Sequence, residues 1–309
     1  MSEENFVTQS VNFYPKIDPL ISDKGNDLHS PVDICILMPC YNNFGGLVQS
    51  INSIKYDRHR FLVLVVDDGS SVAVTRRRLY QHIPFYVNLQ IISLKSNHGI
   101  STALNKGLEF IYANYAVRFI ARLDCGDICQ PQRFYRQISF LEDNPHIDLL
   151  GTWCYFKDIR TGYTYQYITP TEHKLIERSM YFRNVFVHPT VMWRVSALHT
   201  YRYPYNYPHA EDYGLFYDII SKKRTAIIDE FLVTCEINKK GISFLNRPEQ
   251  LKSRLRVIWH YGNNKLLLAA GIIKLVVLIV LPYRIISKFK KRVDNHKPGI
   301  IKNNKIEIL

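Results

Sequence analysis

An α/β fold, a mostly parallel Rossmann-like sheet flanked by helices, follows from three observations on this 309-residue chain. Short apolar runs alternate with longer segments of helical period from residue 32 onward. The runs are apolar at successive positions, as strands buried on both faces require. Polar clusters stand directly after the runs, at the carboxyl ends of the strands, where an open α/β sheet places its ligand.

The first run is Ile34-Cys35-Ile36-Leu37-Met38, stopped by Pro39. The second, Phe61–Val66, ends at Asp67-Asp68-Gly69-Ser70; Leu89–Leu94 is the third and Val117–Leu123 the fourth. Between them, residues 45–55 carry Leu47, Ile51 and Ile54 at helical spacing. Residues 99–114 place Ile100, Ala103, Leu104, Leu108 and Ile111 on one stripe. Residues 131–143 read as a helix opened by Pro131 and closed before Asn144-Pro145. Ile147–Phe156 reads as a strand, Gly162–Ile168 as part of a hairpin, and residues 211–221 as a helix with Glu211 and Asp212 in its first turn.

With 47% apolar and 22% charged residues, the chain has the material for a packed core and is not a disordered protein. Its net charge of +13 is not spread evenly. Residues 239–309 hold 16 Lys+Arg against 3 Asp+Glu, whereas residues 1–238 hold 24 of each. The expected organisation is therefore a leader over 1–31, a catalytic domain over 32–238 and a basic, apolar C-terminal region over 239–309. No basic start followed by an apolar run marks a signal peptide in the leader. The six cysteines form neither a disulfide-scaffold spacing nor a CxxC pair, and read as small buried residues in a reducing compartment. Arg76-Arg77-Arg78 reads as a solvated helix face, and His98 and Lys106 as surface residues. Nothing resembles a nucleic-acid-binding motif.

Two carboxylate clusters carry the chemistry. Asp124-Cys125-Gly126-Asp127 follows a strand and precedes a helix; two carboxylates on such a turn can hold a divalent cation against a diphosphate, or simply cap the helix. Asp67-Asp68-Gly69-Ser70-Ser71 can accept hydrogen bonds from a base or ribose, or form an ordinary turn. Glu211-Asp212 reads on its own as a complement to a helix dipole. Four tyrosines in Tyr201–Tyr207 offer flat faces with hydroxyls attached, suited to sugars, or pack as a Pro-punctuated loop.

Taken in order, these stretches resemble family-2 glycosyltransferases of the GT-A fold, especially bacterial enzymes of surface polysaccharide. The matching segments are Met38–Asn42, Val66–Ser70, Asn97–Gly107, Ala121–Asp127, His188–Arg194 and Glu211–Phe216, and they span about residues 33–235. The resemblance implies a nucleotide-sugar donor, UDP-linked first, and an inverting displacement. Pro39, Tyr41, Asp67, Asp68, Asn97 and Arg122 would then line the nucleotide site. Asp124 and Asp127 would stand in the metal-binding DXD region and hold Mg2+ or Mn2+. His188 would be a further ligand or, in the reading favoured, a structural or acceptor-side residue. Asp212 would be the general base and Glu211 its orienting or acceptor-side neighbour. Tyr205 and Tyr207 would meet the acceptor. One departure is plain: the carboxylate commonly found in the middle of the DXD region is Gly126 here. That leaves an inactive homologue serving as a membrane-docked scaffold as the alternative. A dinucleotide-binding enzyme is disfavoured, because Pro39–Gly46 contains no G-x-G-x-x-G.

Leu266–Leu281 is apolar except at Gly271 and Lys274, and a basic run from Arg284 to Arg292 follows. It falls short of the roughly 20 residues that cross a bilayer, and a central Lys costs roughly 3 kcal/mol on insertion. The expectation is a peripheral contact with an anionic membrane at the inner face of the cell membrane. A buried helix or a dimer contact is the competing reading. The membrane contact points in turn to a lipid-linked glycan or lipopolysaccharide acceptor.

Overall fold

A computed structural model describes residues 32–56, 61–237 and 246–280. The leader over 1–31, the boundary at 238/239 and the basic run from Arg284 to Arg292 lie outside the described residues. The first half of the chain alternates strand and helix. It comprises β1 (Val32–Cys40), α1 (Phe44–Ser53), β2 (Phe61–Asp67), α2 (Arg76–Leu79), β3 (Leu89–Ser93), α3 (Ile100–Asn114) and β4 (Val117–Arg122). The second half adds β5 (Ile128–Cys129), α4 (Arg133–Asp143), β6 (Leu149–Asp158), β7 (Thr164–Tyr167), α5 (His173–Met180), β8 (Met192–Arg194), α6 (Val195–Leu198), α7 (Glu211–Lys222) and β9 (Thr225–Ile237). Helices α8 (Arg247–Tyr261) and α9 (Lys265–Val280) follow.

The strands form one sheet in the order β3-β2-β1-β4-β8-β6-β9-β5, with β7 paired to β6. Strands β3, β2, β1 and β4 are parallel, so their carboxyl ends share one edge. Strand β8 then runs antiparallel to both β4 and β6, a reversal that the apolar runs did not reveal. Apolar side chains cover both faces of the sheet in two separate clusters. One packs under α3 and α7, the other under α1 and α4.

Strand β1 continues through Pro39 instead of stopping before it. Leu37 O accepts from Leu123 N, so every second residue of β1 faces β4. Pro39 lies on that side, but pairing with β4 ends at Leu37, and its missing N–H leaves no ladder bond unmade.

Helices α8 and α9 are not a detached appendage. Leu251, Val257, Ile258 and Leu275 enter the same apolar cluster as α3 and α7. Gly271 of α9 comes so close to Tyr181 that a Cβ there would stand 2.4 Å from its carbonyl oxygen. The opposite face of α9 has no cover among the described residues: Leu266, Ile273, Val277 and Val280 fall on one stripe, and Leu266 is 83% exposed. No described helix is long and apolar enough to cross a membrane.

The tightest helix-to-sheet approach is at Gly107 of α3, where a Cβ would lie 2.4 Å from Leu37 Cδ1 and 3.0 Å from Val66 Cγ2. Gly107→Val is therefore expected to destabilise the protein by about 1–3 kcal/mol through overpacking, read as a lower urea midpoint with an unchanged slope.

Candidate active site

Three loops at the carboxyl ends of β1, β2 and β3 are tied together by their own backbones. Asp68 N donates to Cys40 O at 2.8 Å, and Asn42 Oδ1 accepts from Ser71 N at 2.8 Å. Asn42 adopts a left-handed conformation (φ 50°) to make this turn. Gly69, at φ 71°, lies against the Ser96-Asn97 backbone, where a side chain would not fit.

Both acidic residues of the second loop serve these turns. Asp67 is buried and accepts from Ser70 N (3.1 Å) and Val74 N (2.9 Å). The nucleotide contact expected of Asp67 is thereby corrected: its carboxylate is spent on its own loop. Asp68 accepts from His98 N at 2.8 Å and Gly99 N at 2.9 Å, bracing the start of α3, while burial pushes its carboxyl up. Tyr41, half exposed at 50%, and Asn97, exposed, stand in the loops that follow β1 and β3, and Pro39 is half-buried near the end of β1.

The fourth loop, Asp124–Asp127, is clasped by α1. Asn43 Nδ2 donates to Cys125 O at 3.0 Å, Ser50 Oγ donates to Asp124 O at 3.0 Å, and Ser50 Oγ accepts from Gly126 N at 2.8 Å. Asp124 pairs with Arg122, whose guanidinium is fully buried and also donates to Leu37 O (2.7 Å), Leu123 O (3.1 Å) and His188 Nε2 (3.1 Å). Two expectations are corrected here. Arg122 does not line the nucleotide site; it orients Asp124 from below. His188 is no metal ligand, because Nε2 accepts from both Arg122 and Tyr203 Oη (2.8 Å), and burial followed by the Arg122 charge lowers its pKa to about 3. The imidazole is thus neutral, with its proton on Nδ1.

Asp127 is buried, accepts from Glu236 N of β9 at 2.8 Å, and is pushed well up by burial and by Asp124. The Gly126 departure has a local reason. Residue 126 has a φ of 107°, which side chains rarely adopt, and a Cβ there would stand 2.6 Å from Glu236 Oε2. Among the described residues, no group of three or more His, Cys, Asp or Glu side chains is placed to hold a metal. Asp124 Oδ2, which the Arg122 pair leaves over on a one-third exposed side chain, is a hard oxygen of the kind a divalent cation takes.

Across from this loop, α7 begins with Glu211 and Asp212. Asp212 Oδ2 accepts from Asn184 Nδ2 at 2.9 Å and Oδ1 from Tyr213 N at 2.7 Å. Burial raises Asp212 to about 6, with Asp124 adding to the shift; burial and the Asp212 charge raise Glu211 as well. A carboxylate fixed by two donors and poised near neutrality is suited to take a proton. Asn184, Arg183 and Gln250, which surround Asp212, carried no sequence signal because they come from loops and from α8. The tyrosine loop divides. Tyr205 is 67% exposed, whereas Tyr207 is 3% exposed, its ring packed on Gly214 of α7 and facing Tyr261. Tyr207 therefore has no open face for an acceptor, which corrects the role expected of it. Tyr203 is locked by Asn105 through two hydrogen bonds of 2.8 and 2.9 Å.

The sequence profile described as glycosyl transferase family 2 matches residues 35–202. An uncharacterized glycosyltransferase of Methanocaldococcus jannaschii is 27% identical over 239 residues, which cover 75% of this chain and 80% of that protein. The fold is similar to that of Staphylococcus aureus TarS in complex with UDP-GlcNAc (TM-score 0.59, 16% identity, 79% of this chain and 72% of that one). It is also similar to a mannosyltransferase from Pyrobaculum calidifontis in complex with GDP-Man and Mn2+ (TM-score 0.56, 16% identity, 89% and 84%).

Removing the buried cation should cost more than removing an exposed one. Arg122→Met leaves His188, Leu37 O and Asp124 without their shared donor, and is expected to lower stability by about 3 kcal/mol in chemical denaturation. Arg77→Met, at the exposed position of α2, is expected to change it by less than about 0.5 kcal/mol.

Proposed function

As the chain belongs to glycosyl transferase family 2 and is a glycosyltransferase, we propose that it moves a sugar from a nucleotide-diphosphate donor to an acceptor hydroxyl with inversion. A UDP-sugar is the donor favoured by the likeness to the UDP-GlcNAc complex, and a GDP-sugar is the competing choice. The observation that carries the reading is Asp212, held between Asn184 and the Tyr213 amide opposite the loops that end β1, β2 and β4. Asp212 takes the proton of the acceptor hydroxyl as it attacks the anomeric carbon, and the nucleoside diphosphate departs on the other side. Glu211 stays beside it on the acceptor side. Tyr41 and Asn97 line the nucleotide, and Asp68 closes the site from behind through the His98 and Gly99 amides it holds. Tyr205 offers the acceptor an open ring.

The metal expectation fits in a reduced form. Mg2+ or Mn2+ would be held by Asp124, would complete its shell with donor oxygens and would neutralise the leaving diphosphate. Asp127 and Arg122 would shape the turn from within.

The uncovered stripe of α9, continued in the sequence by the basic run from Arg284 to Arg292, supports peripheral attachment to an anionic membrane. Trp259 of α8, 71% exposed, adds an aromatic anchor. A surface of this kind suits an acceptor that is itself in the membrane, a lipid-linked glycan or lipopolysaccharide.

Asp212→Asn is expected to reduce sugar turnover roughly a hundred- to ten-thousand-fold while nucleotide binding persists. Equal turnover by the variant would remove Asp212 from the role, and wild-type protein that binds nucleotide without turnover would favour the inactive scaffold. A general base works ionised, so kcat/KM should be maintained above about pH 6 and fall as the pH drops through that value. Full-length protein should sediment with phosphatidylglycerol vesicles and not with phosphatidylcholine vesicles, and Ile273→Asp with Val277→Asp should weaken the binding.

A further inference from the structure

A cavity of about 190 Å3 opens beside Asp212, and its charged lining is unbalanced. Arg183 and Arg254 both reach it, while Asp212 is the carboxylate in its wall. Neither arginine belongs to an ion pair within 4 Å among the described residues. Arg254, from α8, is fixed at its root: one terminal nitrogen donates to Phe182 O at 3.1 Å and the guanidinium lies 5.7 Å from the Tyr213 ring centre. Its Nε–H is buried and has no hydrogen-bond partner. Arg183 stacks against Tyr167, 5.2 Å from the ring centre, on another wall of the cavity. Gln250 and Asn184 add neutral amides.

Arg183 is half-buried and spends one terminal nitrogen on Ile168 O at 3.4 Å, so the unpartnered buried donor is Arg254 Nε–H. Such a donor is costly, and the planar fork of each guanidinium matches the oxygens of a carboxylate or phosphate. With Asp212 ionised, one of the two positive charges is offset and the other is left without a counter-charge if the cavity takes a neutral group. We infer that this cavity receives an oxyanion carried by the acceptor, seated between Arg183 and Arg254 with the reacting hydroxyl beside Asp212. The inference rests on the transferase reading and narrows it: the acceptor sugar bears a uronic carboxylate or a phosphoryl group near the hydroxyl that is glycosylated. It also gives α8 a part in the reaction, since the helix brings Arg254 and Gln250 to a site otherwise built by residues before β9.

Binding of methyl β-D-glucuronide, glucose 6-phosphate and methyl β-D-glucoside to the full-length protein tests this, with UDP affinity measured on the same samples. At least one anionic sugar should bind about tenfold tighter than the glucoside, and the better of the two assigns the charge to a carboxylate or a phosphoryl group. Arg183→Gln and Arg254→Gln should each bring the anions toward the glucoside, whereas Arg254→Lys should retain part of the preference. Because Arg254 also braces the Phe182 carbonyl, Arg183→Gln is the decisive variant if Arg254→Gln fails to fold. Equal binding of the three sugars, or a preference that survives Arg183→Gln, overturns the inference while leaving UDP binding intact. Absence of UDP binding in the wild type would instead overturn the transferase reading on which the inference stands.

Discussion

The fully buried guanidinium of Arg122 joins three parts of the molecule that must agree for the site to exist. It holds the end of β1 through Leu37 O, the turn after β4 through Leu123 O and Asp124, and the segment before β8 through His188. A buried charge is tolerated because every face of it meets an acceptor and its counter-ion lies at the protein surface. The pairing in turn fixes which oxygen of Asp124 is used inside and which is left to face the crevice. His188 stays neutral because it is buried and, secondly, because a cation there would repel Arg122 by more than Asp124 offsets.

The donor-side loops follow from a similar economy of carboxylates. Asp67 and Asp68 bind backbone amides of their own and neighbouring turns, so the crevice is shaped by the residues that sequence patterns mark as ligands. Asp127 secures β9 and brings Glu236 against Gly126. Residue 126 has a φ of 107°, which side chains rarely adopt, and glycine suits it whatever the Glu236 side chain does. On the other side of the crevice, Asn184 and the first turn of α7 hold Asp212 in a less solvated setting, which raises its affinity for a proton.

Much of this was legible in the chain. Strands buried on both faces announced the parallel half of the sheet, and the polar clusters after them marked the crevice edge. Asp124 stood out as a carboxylate where a strand ends and a helix begins. Asp212 read on its own as a helix-dipole complement and was marked as a base only by the family resemblance. Other features were hidden for physical reasons. Strand β8 is three residues long and carries no period, so its antiparallel reversal depended on tertiary pairing. Burial cannot be read from residue type alone: Arg122 looked like a surface ligand and Tyr207 like a sugar platform, yet both are packed inside. Asn184, Arg183 and Arg254 reach Asp212 from separate segments, and spacing along the chain gives no sign of such a meeting. The basic C-terminal region suggested an appendage, but one face of its helices completes the core while the other remains apolar and open.

On the proposed function, the loops closing the carboxyl ends of β1 to β4 form a nucleoside-diphosphate site. Thermal unfolding of the full chain with UDP, dTDP, GDP and CMP, each with and without Mn2+, tests it most directly. A ligand that binds only the folded state stabilises it by about 2.7 kcal/mol at a hundred times its Kd. One nucleotide diphosphate, UDP first, is expected to raise Tm by a few degrees, and more so with Mn2+ through Asp124. Folded protein whose Tm is unmoved by all four nucleotides would contradict it.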